Sequence, residues 1–296
     1  MPGDFQVKLL PMDEPIGVIA GQGRLPLITA QGIRAAGRKV ACVGLADQYD
    51  AELPSLCDYF ARAGIIRISR WTRLLRRWGV REVVLIGRVH KARMYQPLRF
   101  LRQMPDWRAA QIWYRALRHD KRSATLLGAV ADELARHGIT VIDSTRYIPD
   151  HLAPVGVLTR RGATSEMRAD IEFGWPLVKQ LNELDIGQSI AVRDREVVAV
   201  EAIEGTDRMI ERAGALCRMG RWTLIKTAKP DHDMRLDVPT VGPTTIENLK
   251  RAGAACLALE AGRVIMADKQ RMVERADELG IVVVGLTKPQ DISSLA

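Results

Sequence analysis

The first half of the chain alternates short apolar runs with stretches of helical periodicity. The runs are rich in β-branched residues and begin near residues 16 (IGVIA), 39 (KVACVGL), 64 (GIIRIS), 81 (REVVLIG) and 139 (ITVID). Each is short enough for a strand that is covered on both faces. Strands that alternate with helices are typical of a parallel sheet. We therefore predict a Rossmann-like parallel sheet in the N-terminal half.

The second half uses the same elements in a different order. The segment QSIAVRDREVVAVE predicts a β-hairpin that turns at residues 193 to 195, and WTLIK, CLALE and IVVVGL predict further strands with helices between them. A hairpin beside strand–helix alternation predicts a mixed sheet. The expected fold class is α/β, with an N-terminal Rossmann-like domain and a C-terminal mixed α/β domain.

The regular pattern stops between residues 144 and 168, where prolines and small polar residues predict a linker. A chain of 296 residues is long enough for two domains of ordinary size. We predict an N-terminal extension (1–14), the Rossmann-like domain (15–143), the linker (144–168) and a C-terminal domain (169–296) that carries the EGTD and RLDVPTVG motifs.

Positive charge is concentrated in one segment. Residues 62 to 122 contain 17 Lys and Arg against three acidic residues, and four of the six tryptophans, although the whole chain has a net charge of only +9. From Trp71 to Trp78 apolar residues recur at helical spacing with arginines between them, which predicts a basic amphipathic helix. Three interpretations are open: contact with an anionic membrane surface, binding of nucleic-acid phosphates, or a solvated arginine face over a packed core.

The remaining composition favours a cytoplasmic protein. The four cysteines are scattered without a C-x-x-C pair, which disfavours a zinc site or a disulfide framework. No apolar run is long enough to cross a bilayer, and the first residues lack the basic start and apolar core of a signal peptide. We therefore expect a cytoplasmic location.

Two glycines follow the first predicted strand, in the sequence GQGRLP. Gly21 and Gly23 lie between that strand and a helix that Pro26 would begin, where free backbone N–H groups can bind phosphate. Asp47, after the second strand, stands where dinucleotide-binding proteins contact a ribose, but Pro26 replaces the third glycine of their fingerprint. Phosphate binding and a simple tight turn are both open.

Three turns of the second half fall at predicted strand ends, where α/β proteins bind ligands. They are LDIGQ (184–188), EGTD (204–207) and the loop at 226–242. Glu204, Asp207 and Asp237 offer carboxylates that suit Mg²⁺ held against a phosphate. Lys226 and Lys229 offer positive charge for phosphoryl oxygens. Ordinary turn chemistry is the alternative for each residue taken singly.

These motifs, in this order, resemble a known family. IGVIAGQGRLPL, LDIGQSIAV, VVAVEAIEGTDRMI, LIKTAKP, RLDVPTVG and TIENLKRAG are similar to segments of the LpxI-type UDP-2,3-diacylglucosamine pyrophosphatases of lipid A biosynthesis, over residues 15 to 286. The resemblance implies Mg²⁺-dependent hydrolysis of UDP-2,3-diacylglucosamine to UMP and 2,3-diacylglucosamine 1-phosphate. It also implies a homodimer whose two α/β domains hold the substrate between them, in the cytoplasm or peripherally at the inner membrane.

The motifs and the resemblance together give a candidate site. The aspartate of the family's R-x-D-x-P motif falls on Asp237, which is the expected catalytic residue and, with Glu204 and Asp207, an expected metal ligand. The expected substrate-binding residues are Gly21, Gly23, Gln188, Gly205, Thr206, Lys226, Lys229, Thr240 and Gly242.

One departure from the family concerns an acidic G-D-D sequence, which aligns here with Arg122, Ser123 and Ala124. The loss of two carboxylates favours one alternative, a nucleotide-sugar or lipid-phosphate binding protein without catalysis. A second alternative is a nucleic-acid-binding protein that uses the arginine-rich residues 62 to 122. The interpretation retained is the enzyme, with a UDP-linked diacylated sugar as substrate, membrane contact through the basic helices, and no obligatory nucleic acid.

Overall fold

The computed structural model describes residues 14–46, 48–89, 123–229, 235, 238–288 and 291. The chain forms two compact units. The first runs to Ile148 and also contains Arg235, and the second begins at Pro149. Each unit has its own sheet and its own buried apolar core. None of the described helices is both long and apolar enough to cross a membrane.

The first unit contains a five-stranded parallel sheet in the order β3-β2-β1-β4-β5. Its strands are β1 (Ile16–Ala20), β2 (Val40–Leu45), β3 (Tyr59–Ala63), β4 (Glu82–Ile86) and β5 (Thr140–Val141). Its helices, among the described residues, are α1 (Leu25–Ala35), α2 (Ile68–Arg77) and α3 (Ser123–Ala135), and a 3-10 turn spans Leu53–Leu56. The strand order, with β1 at the centre, confirms the predicted Rossmann-like parallel sheet.

The central strands and the first helix form as their sequences predict. β1 and β2 are buried along their whole length, as expected of parallel strands that are covered on both faces. Pro26 lies in the first turn of α1, where its missing N–H costs no helical hydrogen bond. Gly37 follows the end of α1 with a φ of +72°, a conformation that glycine adopts without strain.

The third predicted strand is wrong. The run GIIRIS is not a strand: β3 lies immediately before it, and Ile68 begins α2. Ile68, Trp71 and Leu75 are buried at helical spacing, and the Trp71 indole donates to the Gly64 carbonyl O at 3.0 Å. β3 is an edge strand in which only Ala63 is buried, so its sequence lacks the apolar run that marks the other strands.

The second unit contains a six-stranded mixed sheet in the order β6-β13-β11-β9-β7-β8 and a separate β10-β12 pair. Its strands are β6 (Gly156–Val157), β7 (Ser189–Arg193), β8 (Glu196–Val200), β9 (Trp222–Lys226), β10 (Thr240–Val241), β11 (Ala254–Glu260), β12 (Ile265–Met266) and β13 (Val282–Leu286). Its helices are α4 (Ser165–Glu183), α5 (Thr206–Leu216), α6 (Pro243–Arg251) and α7 (Lys269–Leu279), and a 3-10 turn spans Pro149–His151. The predicted mixed α/β domain is confirmed.

The predicted hairpin is β7–β8, and it turns through Asp194 and Arg195 with φ values of 52° and 59°. Residues 144 to 168, expected to be a linker, are divided between the two units. Gly156 and Val157 pair antiparallel with β13, and the Thr164 side chain caps α4. The proline and small polar residues of this segment therefore lie in an edge strand and at the start of a helix. Both kinds of element accept the same residue types as a loop.

The strand directions bring several loops of the second unit to one edge of its sheet. β9 and β11 are parallel, and β8 runs the same way because β7 is antiparallel to both β8 and β9. The C-terminal ends of β8, β9 and β11 therefore lie together with the start of β7. We call this the carboxyl edge. In α/β sheets this edge is where ligands bind.

Candidate functional site

Lys226, the last residue of β9, is the centre of a polar network at the carboxyl edge. Its side chain is buried, and its Nζ lies 2.9 Å from Thr206 Oγ1, 3.1 Å from Ser189 Oγ and 3.5 Å from Glu201 Oε2. The Thr206 hydroxyl donates to Glu201 Oε1 at 2.7 Å. The network joins the ends of β7, β8 and β9 to the start of α5, and its positive and negative charges compensate each other.

The start of α5 lies directly over this buried cation. Gly205 precedes the helix with a φ of +81°, and within the described chain no side chain caps it. The first backbone N–H groups of a helix are unpaired and carry partial positive charge. The start of α5 is therefore suited to an anion, and the Lys226 ammonium, 2.9 Å from Thr206 Oγ1, holds that start in place.

A second ion pair holds the loop that follows β9. Glu260, at the end of β11, accepts from the Ala228 N–H at 2.7 Å and from Lys179 Nζ at 2.7 Å. Lys179 Nζ also donates to the Ala228 carbonyl O at 3.0 Å. Asn182 donates to Thr227 Oγ1 at 2.7 Å. Because α4 and β11 bind both sides of the loop, the K-T-A-K sequence has a defined path across the edge.

The LDIGQ turn packs against the end of β8. A Cβ on Gly187 would lie 1.9 Å from the Glu201 carbonyl O, so only glycine fits at this position. The Gln188 carbonyl O accepts from the Thr227 N–H at 3.0 Å. The structure therefore brings together three predicted site residues, Gln188, Thr206 and Lys226, and adds Glu201 as their neighbour.

Exposed apolar side chains flank these turns. Leu184 and Ile186 come just before Gly187, and Ile203 follows Glu201 by two residues. Ile203 is fully exposed, Leu184 is 69% exposed and Ile186 is 45% exposed. Exposed apolar side chains on two neighbouring turns can contact the same apolar group, so this part of the edge suits an apolar ligand group.

The two carboxylates of EGTD are already engaged. Glu204 pairs with Arg212 at 2.6 Å, and this guanidinium holds the pKa of the Glu204 carboxyl below its ordinary value. Asp207 Oδ1 accepts from Asn248 Nδ2 at 3.0 Å, which links α5 to α6. Within the described residues, no group of three or more His, Cys, Asp or Glu side chains is placed to hold a metal ion. The metal-ligand role expected of Glu204 and Asp207, together with Asp237, stays a prediction.

Lys229, Thr240 and Gly242 lie further along the same loop. Lys229 Nζ is 3.9 Å from Asp185 Oδ1, and the side chain is 40% exposed, unlike that of Lys226. Thr240 begins β10. The Gly242 N–H donates to Thr245 Oγ1 at 3.3 Å at the start of α6. Of the two predicted phosphate-binding lysines, Lys229 is thus the one that solvent reaches.

The two halves of the chain match two related family descriptions. Residues 15–151 match the LpxI N-terminal domain, and residues 154–284 match the LpxI C-terminal domain. The chain is also 33% identical to the UDP-2,3-diacylglucosamine pyrophosphatase LpxI of Caulobacter vibrioides, over 93% of this chain and 98% of that protein. The chain belongs to the LpxI family. The resemblance on which the sequence prediction rested is confirmed.

The predicted catalytic residue of this LpxI-family chain, Asp237, lies outside the described residues, as does Asp47. Arg235, which opens the family's R-x-D-x-P motif, belongs to the first unit although it lies late in the sequence. Ser144 Oγ lies 3.3 Å from the Arg235 carbonyl O and 3.2 Å from the Leu85 carbonyl O. The hydroxyl thus places the start of the motif beside the end of β4.

The glycines of GQGRLP form a turn in the first unit. The Gly21 N–H donates to the Ile86 carbonyl O at 2.9 Å, and a Cβ on Gly21 would lie 2.7 Å from the Arg88 carbonyl O. Gly23 has a φ of +107° with open space around it. Close backbone packing therefore explains Gly21, whereas the substrate contact expected of either glycine stays a prediction.

Sequence reasoning missed the two acidic residues that organise the LpxI carboxyl edge. Glu201 and Glu260 each come directly at the end of an apolar run, in VVAVE and CLALE. A charged residue directly after a buried strand is held at the sheet edge by the backbone. Because water has little access there, its charge needs a partner. That signal would have found both glutamates. Lys179, the partner of Glu260, carries no such mark, because only the fold brings it near.

Proposed function

We propose that this chain hydrolyses the pyrophosphate bond of UDP-2,3-diacylglucosamine, giving UMP and 2,3-diacylglucosamine 1-phosphate for lipid A biosynthesis. The supporting observation is its 33% identity to the LpxI pyrophosphatase of Caulobacter vibrioides over 98% of that protein. The enzyme class, a hydrolase acting on a phosphoric anhydride, follows from membership in the family. The exact substrate is part of the proposal.

In this proposal the carboxyl edge holds the diphosphate. The start of α5, with Gly205 and Thr206, offers unpaired N–H groups to an anion. Lys226 is buried and its charge is paired with Glu201, so its role is to hold Thr206 and the helix start in position. The exposed Lys229 is the direct phosphate contact.

The acyl chains of the substrate are assigned to the exposed apolar side chains beside this edge. Three exposed apolar side chains flank the turns that would hold the diphosphate: Leu184, Ile186 and Ile203. Contact with an acyl chain would remove their apolar surface from water, which is favourable. Gly21, Gly23, Gln188, Thr240 and Gly242 are kept as further substrate-binding residues.

Asp237 is the proposed catalytic residue, acting as a base that activates water or through a bound cation. The test measures UMP release from UDP-2,3-diacylglucosamine by the unmodified protein, by Asp237→Asn and by Asp132→Ala. Asp132 is an exposed aspartate of α3 and serves as a control. We expect Asp237→Asn to lower kcat by about 100-fold or more and Asp132→Ala to leave it unchanged.

Three outcomes would count against this assignment. No UMP from the unmodified protein, despite saturable binding of the substrate, would support the alternative of a binding protein without catalysis. Equal activity of Asp237→Asn and the unmodified protein would remove Asp237 from the mechanism. Equal loss in both variants would point to a general effect on folding.

The Mg²⁺ requirement is also a proposal. The proposed ligands are Asp237, Glu204 and Asp207 together with the substrate's own phosphate oxygens, because Mg²⁺ is commonly held by one or two carboxylates beside a phosphate. Its test is UMP release after treatment with EDTA, followed by addition of Mg²⁺. We expect activity to be lost and then restored, and activity that persists in EDTA would contradict the requirement.

Homodimer formation, a cytoplasmic location and contact with the membrane surface complete the proposal. Sedimentation equilibrium distinguishes a dimer, near twice the chain mass of 32.9 kDa, from a monomer at that mass. Fractionation of cells without detergent, followed by a high-salt wash, distinguishes a peripheral protein from a freely soluble one.

A further inference from the structure

The exposed face of α2 carries arginines that have no partner among the residues that the structure describes. Arg70, Arg73, Arg76 and Arg77 are all exposed, and in the described part of the chain none of them forms an ion pair or a side-chain hydrogen bond. Residues 62 to 81 contain seven arginines and no acidic residue. The four guanidinium groups of α2 are therefore available to an external anion, and their like charges repel one another until one binds.

A groove lies along this face. It has a volume of about 590 Å³ and is lined by Ser69, Thr72, Arg73, Arg76, Arg77 and His137. Glu133, one helical turn before His137, is already bound by Arg136 at 3.0 Å and by His137 at 3.1 Å. The groove therefore presents guanidinium groups to solvent while the nearby carboxylate of α3 is engaged.

The apolar face of α2 is not available to a membrane. Ile68, Trp71 and Leu75 pack into the core of the first unit, and Trp78 stacks on Tyr59 with ring centroids 6.1 Å apart. The sequence pattern of a basic amphipathic helix is thus satisfied inside the protein. Any contact that this surface makes with a membrane depends on its charge and not on insertion of apolar side chains.

We propose that the α2 groove binds the phosphates of anionic phospholipid headgroups and so holds the protein against a negatively charged membrane surface. Guanidinium groups bind phosphate oxygens by paired hydrogen bonds, and a groove of this size accommodates a headgroup phosphate beside three arginines. The choice of lipid over other polyanions rests on the proposed function, because a substrate with two acyl chains is held in a membrane.

The experiment measures binding of the full-length protein to vesicles by co-sedimentation. One set contains phosphatidylcholine alone and the other contains phosphatidylcholine with phosphatidylglycerol. The groove variant is Arg73→Gln/Arg76→Gln/Arg77→Gln. The matched control is Arg160→Gln/Arg208→Gln/Arg275→Gln, which removes the same three charges from exposed arginines that each pair with a carboxylate.

The unmodified protein is expected to bind the anionic vesicles and not the neutral ones, less strongly as salt rises. A basic residue near an anionic surface contributes about fivefold in binding, so the groove variant loses on the order of 100-fold. The matched control is expected to keep its affinity within about threefold. Equal losses in the two variants, or equal binding to both kinds of vesicle, would overturn the proposal.

Two further measurements separate this proposal from its alternatives. Hydrolysis of detergent-dispersed substrate should be the same in the groove variant and the unmodified protein, whereas hydrolysis of vesicle-borne substrate should fall. If no hydrolysis occurs at all, the proposed function fails and the vesicle binding still decides the role of the groove. Tighter binding to a single-stranded RNA than to anionic vesicles, lost in the same variant, would assign the groove to nucleic acid.

Discussion

Charge is arranged in opposite ways on α2 and at the carboxyl edge. At the edge, Lys226 with Glu201 and Lys179 with Glu260 are buried or nearly so, and each cation lies against its carboxylate. On α2, Arg73, Arg76 and Arg77 are exposed and have no carboxylate partner among the described residues. Both surfaces suit phosphate, yet only the first also contributes to the fold.

Burial decides whether a positively charged side chain contributes to folding stability. A charge taken out of water needs a partner, so the buried Lys226 and the largely buried Lys179 are part of the structure and cannot be altered without a cost in folding free energy. An exposed guanidinium remains hydrated and contributes little to folding. Substitutions at the edge should therefore change stability and activity together, whereas substitutions on α2 should change anion binding and alter stability by only about a few tenths of a kcal/mol.

The largest effect is expected for Lys226→Met. The variant leaves the Glu201 carboxylate nearly buried without its cation and removes the donor to Ser189 and Thr206. We expect a loss of about 3–5 kcal/mol in the free energy of unfolding, measured by urea denaturation. Lys250→Met, at an exposed position of α6, is the matched control and should change it by less than about 0.5 kcal/mol.

The companion variant Lys226→Met/Glu201→Gln removes both charges of this pair. It should recover part of the stability lost in the single variant, because no uncompensated charge is left at the edge. If Lys226→Met were as stable as Lys250→Met, the pairing of charges at the carboxyl edge would not be what holds the start of α5.

The second prediction concerns the loop after β9. Glu260→Ala removes the acceptor of the Ala228 N–H and the partner of Lys179, and we expect a loss of about 3 kcal/mol. A double-mutant cycle with Lys179→Met should give a coupling energy of about 1–2 kcal/mol. Additive losses in the cycle would show that Glu260 acts through the backbone hydrogen bond alone.

These contrasts also show which features can be predicted from sequence. The continuous apolar runs of β1, β2, β9, β11 and β13 mark buried strands wherever they occur, so the two α/β units follow from the pattern. The edge strand β3 has no such run, and GIIRIS has one because Ile68 faces the core from a helix. A run of apolar residues indicates that the segment is buried. It indicates a strand only where the spacing of the apolar residues excludes a helix.

The candidate site was predicted in part for a similar reason. Turn motifs identify Gln188, Thr206 and Lys226, because glycine and charged residues are conspicuous beside apolar strands. Lys179 and Asn182 lie on α4 some 45 residues or more before the loop they hold, and no local pattern marks such a contact. The engagement of Glu204 by Arg212 likewise needs the geometry of a helix turn packed on a hairpin.

A smaller effect of opposite sign is expected at Asp170, on α4. Burial raises its pKa, and the carboxylate accepts from the Arg195 N–H at 2.8 Å. Because the folded-state pKa is raised, the stability that the protonated group contributes is present below the unfolded pKa and is lost as pH rises through the folded-state pKa.

Asp170→Asn keeps an acceptor for the Arg195 N–H without the charge. At pH 7 it should be more stable by up to about 1 kcal/mol, and the gain should vanish at low pH. A loss at pH 7 would mean that neighbouring arginines stabilise the carboxylate more than burial destabilises it.

The smallest effect, and the one that separates the two surfaces most sharply, is expected for Arg73→Gln/Arg76→Gln/Arg77→Gln. Arg73 lies three and four residues before Arg76 and Arg77, so the three like charges meet on one helix face and repel. Gln and Arg have nearly equal helix propensity, so removing the charges should leave the helix intact and raise the free energy of unfolding by a few tenths of a kcal/mol, about 0.2–0.5. The matched triple at Arg160, Arg208 and Arg275 breaks four ion pairs, two of them at Arg275, and should lower it by a similar amount. The two triple variants are compared by their urea midpoints. If the α2 variant is more stable than the unmodified protein and the matched variant is less stable, the arginines of α2 are kept at a small cost to folding. Such a cost is expected of a surface that binds an external anion. A loss in both variants would instead make α2 an ordinary stabilised helix surface, equivalent to the paired arginines elsewhere in the protein.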